Sequence, residues 1–193
     1  MKFDILVNKN NHLDKSYIPT DLVETDQNEN NFHHFIDASK KPLIRLFVLK
    51  EFNKMRRDAH KDNIDFIIDS GYRSYEYQEK IWNTSLKKFG LDKTKKQVAL
   101  PGTSEHQTGL AIDIAYYQDG LYSDDVKSSD KEVKWLQNNS YKYGFILRYP
   151  KDKEKITGYN YEPWHYRYVG KDIASICYKN KLTLEEYYIK KHL

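Results

Sequence analysis

Hydrophobic residues recur at helical spacing in two segments of the first half of the chain. Pro42 suits the first turn of a helix, and apolar residues follow it at steps of three and four up to about Ala59. Ser74 is a suitable N-cap for a second helix that runs to Phe89, and Gly90 is a suitable end signal. The pattern therefore predicts two helices that each bury one face.

Short apolar runs with β-branched or alternating residues predict strands in other parts of the chain. These runs span residues 64–69, 110–115, 145–147 and 164–169. Their lengths of three to six residues suit strands better than helices.

The remaining segments complete the predicted architecture. Residues 5–7 are a candidate short edge strand, and Asp119-Gly120 is typical of a hairpin turn. Ser129 is a suitable cap for a further helix, residues 93–96 are expected to form a basic surface loop, and two short helices close the chain. This order predicts an α+β domain with a central, mostly antiparallel sheet and helices packed on it.

Length and composition favour one domain. With 193 residues the chain is long enough to bury a core of its own. Residues 1–31 are polar and rich in turn formers, so we expect an N-terminal arm packed on a core domain formed by residues 32–193. The 17 tyrosines supply rings for half-buried positions and for the walls of a polar pocket. We expect the protein to be a monomer.

Charge and hydropathy exclude two classes of partner. The net charge of +4 is small and dispersed, and no basic stripe with interleaved aromatic residues is present, so we expect no nucleic-acid binding. No apolar run approaches the roughly 20 residues of a membrane span, so we expect no transmembrane segment. The first residues lack the pattern of a signal peptide, which predicts a cytoplasmic protein. An export segment missing from the chain would place it in the cell envelope instead.

The segment 102–114 carries the first candidate metal ligands. His106 and Asp113 lie seven positions apart (113 minus 106). Asp113 interrupts an otherwise apolar strand, where it shares a face with the small residues Ala111 and Ala115. A carboxylate at such a position is costly unless it is neutralised. A metal ion would neutralise it, and the two alanines would leave room for the ion.

A second segment, 159–168, supplies another imidazole. His165 follows Glu162 by three residues, and Pro163 lies between them. Two histidines and one aspartate form a three-ligand set with an open fourth position, which is typical of a catalytic zinc site. A free carboxylate beside the metal can accept a proton from bound water. These residues therefore predict a catalytic site with one Zn²⁺ per chain.

The two segments together resemble a known family. The pattern Ser-x-His-x-x-Gly-x-Ala-x-Asp begins at Ser104, and Glu-x-Trp-His ends at His165. Both are similar to motifs of the VanY-type D-alanyl-D-alanine carboxypeptidases, whose zinc fold is shared with lysostaphin-like peptidases and the hedgehog signalling domain. Residues 70–78 and 143–150 also match that family. The resemblance covers roughly residues 40–170, with further matching residues in the arm.

The resemblance implies a hedgehog/D-Ala-D-Ala peptidase-like fold and a function. The expected function is zinc-dependent hydrolysis of the C-terminal D-alanine of peptidoglycan stem peptides. His106, Asp113 and His165 are expected to bind Zn²⁺, and Glu162 is expected to be the catalytic base. Arg73 is expected to bind the substrate and polarise the scissile carbonyl. Its guanidinium can also grip a carboxylate through two hydrogen bonds.

The same resemblance assigns further residues to the substrate pocket. Gln78 and Ser104 are expected to help hold the terminal carboxylate, and Trp164 is expected to form a pocket wall. On general grounds, two other interpretations stay open. Ser104 could only cap a turn, and Arg73 could be an ordinary salt-bridge partner.

Two alternative functions also stay open from the sequence. The family uses nearly the same motifs for L,D-carboxypeptidases, which act on tetrapeptide stems. A non-catalytic zinc module that binds peptidoglycan is also compatible with the fold. Glu162 argues against this second alternative, because a binding module needs no base beside the metal.

Overall fold

The computed structural model describes residues 3, 5–25, 41–118, 121–123 and 127–191, so the predicted boundary between residues 31 and 32 lies outside the described residues. The described α-helices are α1 (Leu46–His60), α2 (Tyr75–Phe89), α3 (Leu91–Gln97), α4 (Lys131–Asn139), α5 (Glu154–Thr157), α6 (Lys171–Asn180) and α7 (Leu184–Lys191). The strands are β1 (Leu22–Glu24), β2 (Leu43–Arg45), β3 (Phe66–Ser70), β4 (Ala111–Gln118), β5 (Leu121–Ser123), β6 (Phe145–Leu147) and β7 (His165–Tyr168). Among these described helices, none is both long and apolar enough to span a bilayer.

The main sheet has the strand order β3-β4-β7-β6, and β5 extends it by pairing with β4. The neighbouring strands described in this sheet all run antiparallel. β1 and β2 form a separate antiparallel ribbon. The hairpin turn predicted at Asp119-Gly120 lies outside the described residues, but β4 and β5 on either side of it pair in antiparallel register. The predicted α+β class and antiparallel sheet are therefore confirmed.

Helices α1 and α4 cover one face of the main sheet. Phe52 and Met55 of α1 and Leu136 of α4 join Ile112 and Ile114 of β4 in one buried cluster. Burial of each such side chain stabilises the fold by about 1.5–3 kcal/mol. This face of the sheet is therefore occupied by the hydrophobic core.

The opposite face of the sheet carries polar side chains. Successive residues of a strand point to opposite faces. Tyr166 and Tyr168 of β7 belong to the core cluster. His165 and Arg167, which alternate with them along the strand, therefore point away from it. Asp113 of β4 likewise lies between two core isoleucines. The alternation that builds the core thus directs the side chains of Asp113, His165 and Arg167 to the other face of the sheet.

The segment after Pro42 differs from the prediction. It first forms strand β2, which pairs with the arm strand β1, and α1 begins only at Leu46. The predicted helix start was wrong because the pattern of apolar residues cannot reveal a partner strand in a distant part of the chain.

Residues 93–96 belong to helix α3, so the predicted surface loop is wrong. Thr94 is fully buried, and its hydroxyl oxygen lies 3.0 Å from that of Ser85 in α2. This contact between α2 and α3 stabilises a helix whose lysines face solvent. The lysines dominate the local sequence, so the pattern did not reveal this buried contact of the helix.

Two smaller predictions are also wrong. The N-cap of α4 is Asp130 and not Ser129, because Asp130 has the extended backbone of a cap residue (φ −64°, ψ 143°). Residues 5–7 form no strand. The main-chain oxygen of Ile5 accepts a hydrogen bond from the side chain of Arg167 at 2.6 Å, in place of a strand partner.

A candidate metal centre and active site

Two neighbouring strands and one short turn bring three predicted ligands together. Asp113 in β4 and His165 in β7 are register partners. His106 lies in the 3₁₀ turn Glu105–Thr108, just before β4. One donor atom of each of these three side chains lies within 4.8 Å of the other two. The side chains of His106, Asp113 and His165 are 3%, 13% and 6% exposed, so the cluster is largely shielded from water.

Gly71 fixes the orientation of His106. His106 Nδ1 lies 2.6 Å from the main-chain oxygen of Gly71. Because a carbonyl oxygen only accepts, Nδ1 carries the hydrogen and Nε2 keeps a lone pair. A Cβ on Gly71 would lie 2.2 Å from the carbonyl oxygen of Leu43, so only glycine fits this close approach.

The atoms that face one another in the cluster are electron-pair donors. His106 Nε2 lies 3.2 Å from Asp113 Oδ2, and His165 Nδ1 lies 3.0 Å from Asp113 Oδ1. His106 Nε2 is buried without a hydrogen-bond partner among the described residues. Where the facing nitrogen carries no hydrogen, lone pairs at these separations repel unless a positive charge lies between them. Two imidazole nitrogens and a carboxylate oxygen are donors that catalytic Zn²⁺ takes, so the residues fit this ion.

The protonation state of His106 also suits a metal ligand. Burial lowers the pKa of His106 to about 4, and the positive charge of Arg73 acts in the same direction. The imidazole is therefore neutral at pH 7, as ligation requires.

Glu162 stands beside the cluster. Its Oε2 lies 3.8 Å from His165 Nδ1, and its side chain is 11% exposed. The main-chain nitrogen of Glu162 donates to the carbonyl of Tyr149 at 3.1 Å, which fixes the loop before β7. Burial raises the pKa of Glu162 to about 7, and the negative charge of Asp113 acts in the same direction. A carboxyl group with a pKa near neutrality can both accept and return a proton.

Arg73 follows β3 and reaches the same cluster. Its Nε donates to Ser70 Oγ at 3.0 Å, and its Nη2 donates to the carboxylate of Asp113. The salt-bridge interpretation of Arg73 therefore describes its contact with Asp113. The guanidinium also forms part of the wall of the adjoining cavity, which is the position that a substrate role requires. That role stays a prediction.

A cavity opens over the candidate metal centre. Its volume is about 190 Å³, which is smaller than the roughly 300–1,000 Å³ of sites for drug-sized molecules. The predicted site residues that line it are Arg73, Gln78, Ser104, His106, Asp113, Glu162, Trp164 and His165. All eight candidate residues thus meet at one cavity.

Gln78 of α2 and Ser104, just before the 3₁₀ turn, are both buried in this wall. The side-chain nitrogen of Gln78 donates to the main-chain oxygen of Ala99 at 2.9 Å, which ties α2 to the segment after α3. Ser104 precedes the 3₁₀ turn, and its side chain makes no capping hydrogen bond. The turn-capping alternative for Ser104 is therefore not supported, and its contact with a substrate carboxylate stays a prediction.

A buried charge cluster that the sequence did not predict lies behind His165. Glu105 is 1% exposed, and its Oε1 accepts from Arg148 Nε at 2.7 Å and from Arg167 Nη1 at 2.8 Å. Arg148 and Arg167 lie 43 and 62 residues after Glu105 in the sequence, so the pairing could not be seen there. One signal was available: Arg167 follows His165 by two residues, so both share a strand face.

Comparison with known proteins agrees with this geometry. The family model described as VanY, D-alanyl-D-alanine carboxypeptidase, matches residues 41–171. YodJ of Bacillus subtilis (strain 168) is 45% identical over 185 residues, which cover 96% of this chain and 66% of YodJ. The bifunctional D-Ala-D-Ala dipeptidase and D-Ala-D-Ala carboxypeptidase VanXYC of Enterococcus gallinarum is 38% identical over 186 residues. That match covers 95% of this chain and 92% of VanXYC. The chain thus spans just under two thirds of YodJ and nearly all of VanXYC.

Solved structures give the same result. The LdcB LD-carboxypeptidase matches with a TM-score of 0.84 and 45% identity, over 96% of this chain and 85% of LdcB. A mutant of the vancomycin resistance D,D-pentapeptidase VanY, solved in complex with Zn(II), matches with a TM-score of 0.79 and 35% identity. This second match covers 96% of this chain and 98% of that VanY chain. In sequence, fold and site, the chain therefore belongs to the VanY family of D-alanyl-D-alanine carboxypeptidases.

Proposed function

We propose that this protein is a zinc-dependent carboxypeptidase that removes the terminal D-alanine from peptidoglycan stem peptides ending in D-Ala-D-Ala. One observation carries the proposal. His106, Asp113 and His165 converge at a cavity, and Glu162 stands 3.8 Å from His165 without belonging to the ligand set. A metal-binding module without catalysis has no use for that additional carboxylate.

In this proposal, Glu162 moves the proton of the reaction. When bound, zinc supplies a Lewis acid and lowers the pKa of coordinated water to about 7. Glu162 Oε2 takes a proton from the attacking water and returns it to the nitrogen of the leaving D-alanine. Its burial and its hydrogen-bonded loop keep the carboxylate in one position during both transfers.

Arg73 stabilises the negative charge that develops on the scissile carbonyl oxygen. A fixed guanidinium at the wall of the cavity needs little reorganisation as that charge appears. The hydrogen bond from Arg73 Nε to Ser70 Oγ orients the guanidinium, because it fixes one edge of the planar group. The remaining edge points to the cluster and the cavity.

The lining of the cavity supports an exopeptidase. An exopeptidase must read a free C-terminus, and Arg73 places a fixed positive charge beside the candidate metal centre. Gln78 and Ser104 supply polar groups at the cavity wall, where a free carboxylate would lie. We propose a monomeric enzyme, because the three proposed ligands, Glu162 and Arg73 form a site that needs no residue from a second copy.

A second candidate function is the L,D-carboxypeptidase, which removes D-alanine from tetrapeptide stems. The similarity to the LdcB LD-carboxypeptidase favours it. The two functions share the bond-breaking residues and differ in the residue that precedes the terminal D-alanine. The site residues proposed for zinc, proton transfer and carbonyl stabilisation are therefore the same in both.

A D-alanine release assay tests the proposal. The purified protein is given a pentapeptide stem, a tetrapeptide stem and free D-Ala-D-Ala, each with and without a chelator, followed by restored zinc. We expect D-alanine from the pentapeptide, loss with chelator and recovery with zinc. Release from the tetrapeptide alone would support the L,D alternative. No release from any substrate by a zinc-loaded protein would contradict both.

A further inference from the structure

We propose that Glu105 is a positioning residue that fixes the ring orientation and tautomer of His165, so that His165 Nδ1 is the atom that faces the metal. This inference rests on the proposed role of His165 as a zinc ligand. It concerns a residue outside the predicted ligand and catalytic sets.

The two nitrogens of His165 face two different carboxylates. Nδ1 lies 3.0 Å from Asp113 Oδ1, on the side of the candidate metal centre. Nε2 lies 3.6 Å from Glu105 Oε2, on the side of the protein interior. Both Nε2 and Oε2 are buried, and neither has a hydrogen-bond partner among the described residues. A shift of less than 1 Å would join the two atoms and satisfy both, since a buried polar atom without a partner is costly.

The other carboxylate oxygen of Glu105, Oε1, is bound by two arginines. Oε1 accepts from Arg148 Nε at 2.7 Å and from Arg167 Nη1 at 2.8 Å, so only Oε2 is free to face His165. A carboxylate only accepts hydrogen bonds. The hydrogen of neutral His165 therefore belongs on Nε2, which leaves the lone pair on Nδ1. Such a carboxylate behind a metal-binding histidine sets both the tautomer and the ring orientation.

The two arginines are themselves fixed by distant parts of the chain. Arg148 donates from Nη1 to Oε2 of Glu185 in α7 at 2.9 Å. Arg167 donates from Nη2 to the main-chain oxygen of Ile5 in the arm at 2.6 Å. Two carboxylates and two guanidinium groups balance in charge, which a buried network requires. The last helix and the arm thus each hold one of the two arginines.

The variant Glu105→Gln separates positioning from general packing. The two arginines only donate, so they bind the amide oxygen and turn the amide nitrogen toward His165. That nitrogen is also a donor, and it favours a lone pair on His165 Nε2 and a hydrogen on Nδ1. In that tautomer Nδ1 cannot bind a metal. We expect zinc affinity to fall about 10–100-fold, the usual effect of losing such a partner. The Co²⁺ absorption spectrum should change as well.

Glu185→Gln is the matched control. It also removes one negative charge from this network. Glu185 accepts hydrogen bonds from Arg148 but makes no contact with His165 in the described structure. We expect it to lower thermal stability while zinc affinity, measured by chelator competition, and the Co²⁺ spectrum stay as in the wild type. Unchanged zinc affinity in Glu105→Gln, or an equal loss in both variants, would overturn the proposal.

The wild-type protein provides a test that does not depend on folding of a variant. Long-range ¹H–¹⁵N spectra of the zinc-loaded protein report which nitrogen of His165 carries the hydrogen. We expect a hydrogen on Nε2 and zinc on Nδ1, and the reverse would overturn the proposal. These measurements do not use D-alanine release, so a failure of the proposed peptidase activity would be seen separately.

Discussion

Asp113 and His165 face each other across strands β4 and β7 as register partners, and their side chains approach to 3.0 Å. On the other side of β4, Ser70 of β3 is the register partner of Asp113. Ser70, Asp113 and His165 thus form one row across three strands. The spacing of two proposed ligands is set by the hydrogen-bond ladder of a sheet, which positions a site more accurately than loops do.

The first prediction concerns the charge of Asp113. Asp113→Asn keeps the shape of the side chain but removes the negative charge that offsets the ion. We expect zinc affinity to fall by more than the roughly 10–100-fold that an outer partner costs. Chelator competition measures this. Ser70→Ala, in the same row, should keep zinc affinity, and an equal loss in both variants would contradict the ligand assignment.

The second prediction concerns Arg73. Arg73→Met keeps much of the side-chain length and removes the hydrogen-bond donors. We expect kcat for D-alanine release to fall by about 10²–10³-fold, the usual cost of losing one oxyanion donor. Zinc content, measured in parallel, should stay at one ion per chain. A variant with full zinc content and wild-type kcat would show that Arg73 is only a salt-bridge partner of Asp113.

The third prediction concerns Gly71. Gly71→Ala would place a Cβ 2.2 Å from the Leu43 carbonyl oxygen, so the main chain that binds His106 must move. We expect a loss of about 1–3 kcal/mol in the free energy of unfolding, together with weaker zinc binding. Urea unfolding and chelator competition measure the two effects.

Gly90→Ala is the control for that variant. Gly90 has a positive φ of 77°, and an added Cβ would meet no atom within 4 Å. This change should lower stability through backbone strain alone and leave zinc affinity unchanged. Wild-type zinc affinity in Gly71→Ala would contradict the role given to the Gly71 carbonyl.

The fourth prediction is a pH dependence of stability at Asp65, far from the site. Burial acts to raise the pKa of Asp65, but hydrogen bonds from Arg56, Tyr122 and His60 outweigh it and lower this pKa to about 2. The folded pKa is below the unfolded value of about 3.9. The stabilisation is therefore fully present above about pH 4 and is lost as the pH falls toward 2.

Asp65→Asn measures this contribution. The pKa difference corresponds to at most about 2.6 kcal/mol, and partial exposure of the side chain, 27%, reduces it. We expect the variant to be less stable than the wild type in urea at pH 7 and nearly equal to it at pH 2. A stability difference that is constant between pH 7 and pH 2 would contradict the assignment.

The sequence predicted the elements that carry the site better than the elements around it. Strands β4 and β7 were predicted because alternation is strong where one face is buried, and Asp113 stood out as a charge in an apolar run. Helix α3 was missed because a buried hydroxyl contact between Thr94 and Ser85 stabilises it. The start of α1 was misplaced because β2 pairs with the remote arm.

The candidate site shows the same division. His106, Asp113 and His165 were predicted from two short motifs, since each ligand is chemically distinct within its segment. The role of Glu105 could not be predicted, because its arginine partners lie 43 and 62 residues away in the sequence. Buried ion pairs depend on the tertiary fold, and a carboxylate beside a ligand in sequence is indistinguishable from one on the surface.

The last prediction concerns Glu162, the proposed base of a zinc peptidase. Glu162→Gln has nearly the same shape and cannot take a proton from water, while the proposed ligands are untouched. The most direct measurement determines zinc content and D-alanine release from a pentapeptide stem on the same preparations of wild type and variant. We expect one zinc per chain in both proteins and release only by the wild type. A zinc-loaded Glu162→Gln variant that releases D-alanine at the wild-type rate would contradict that role.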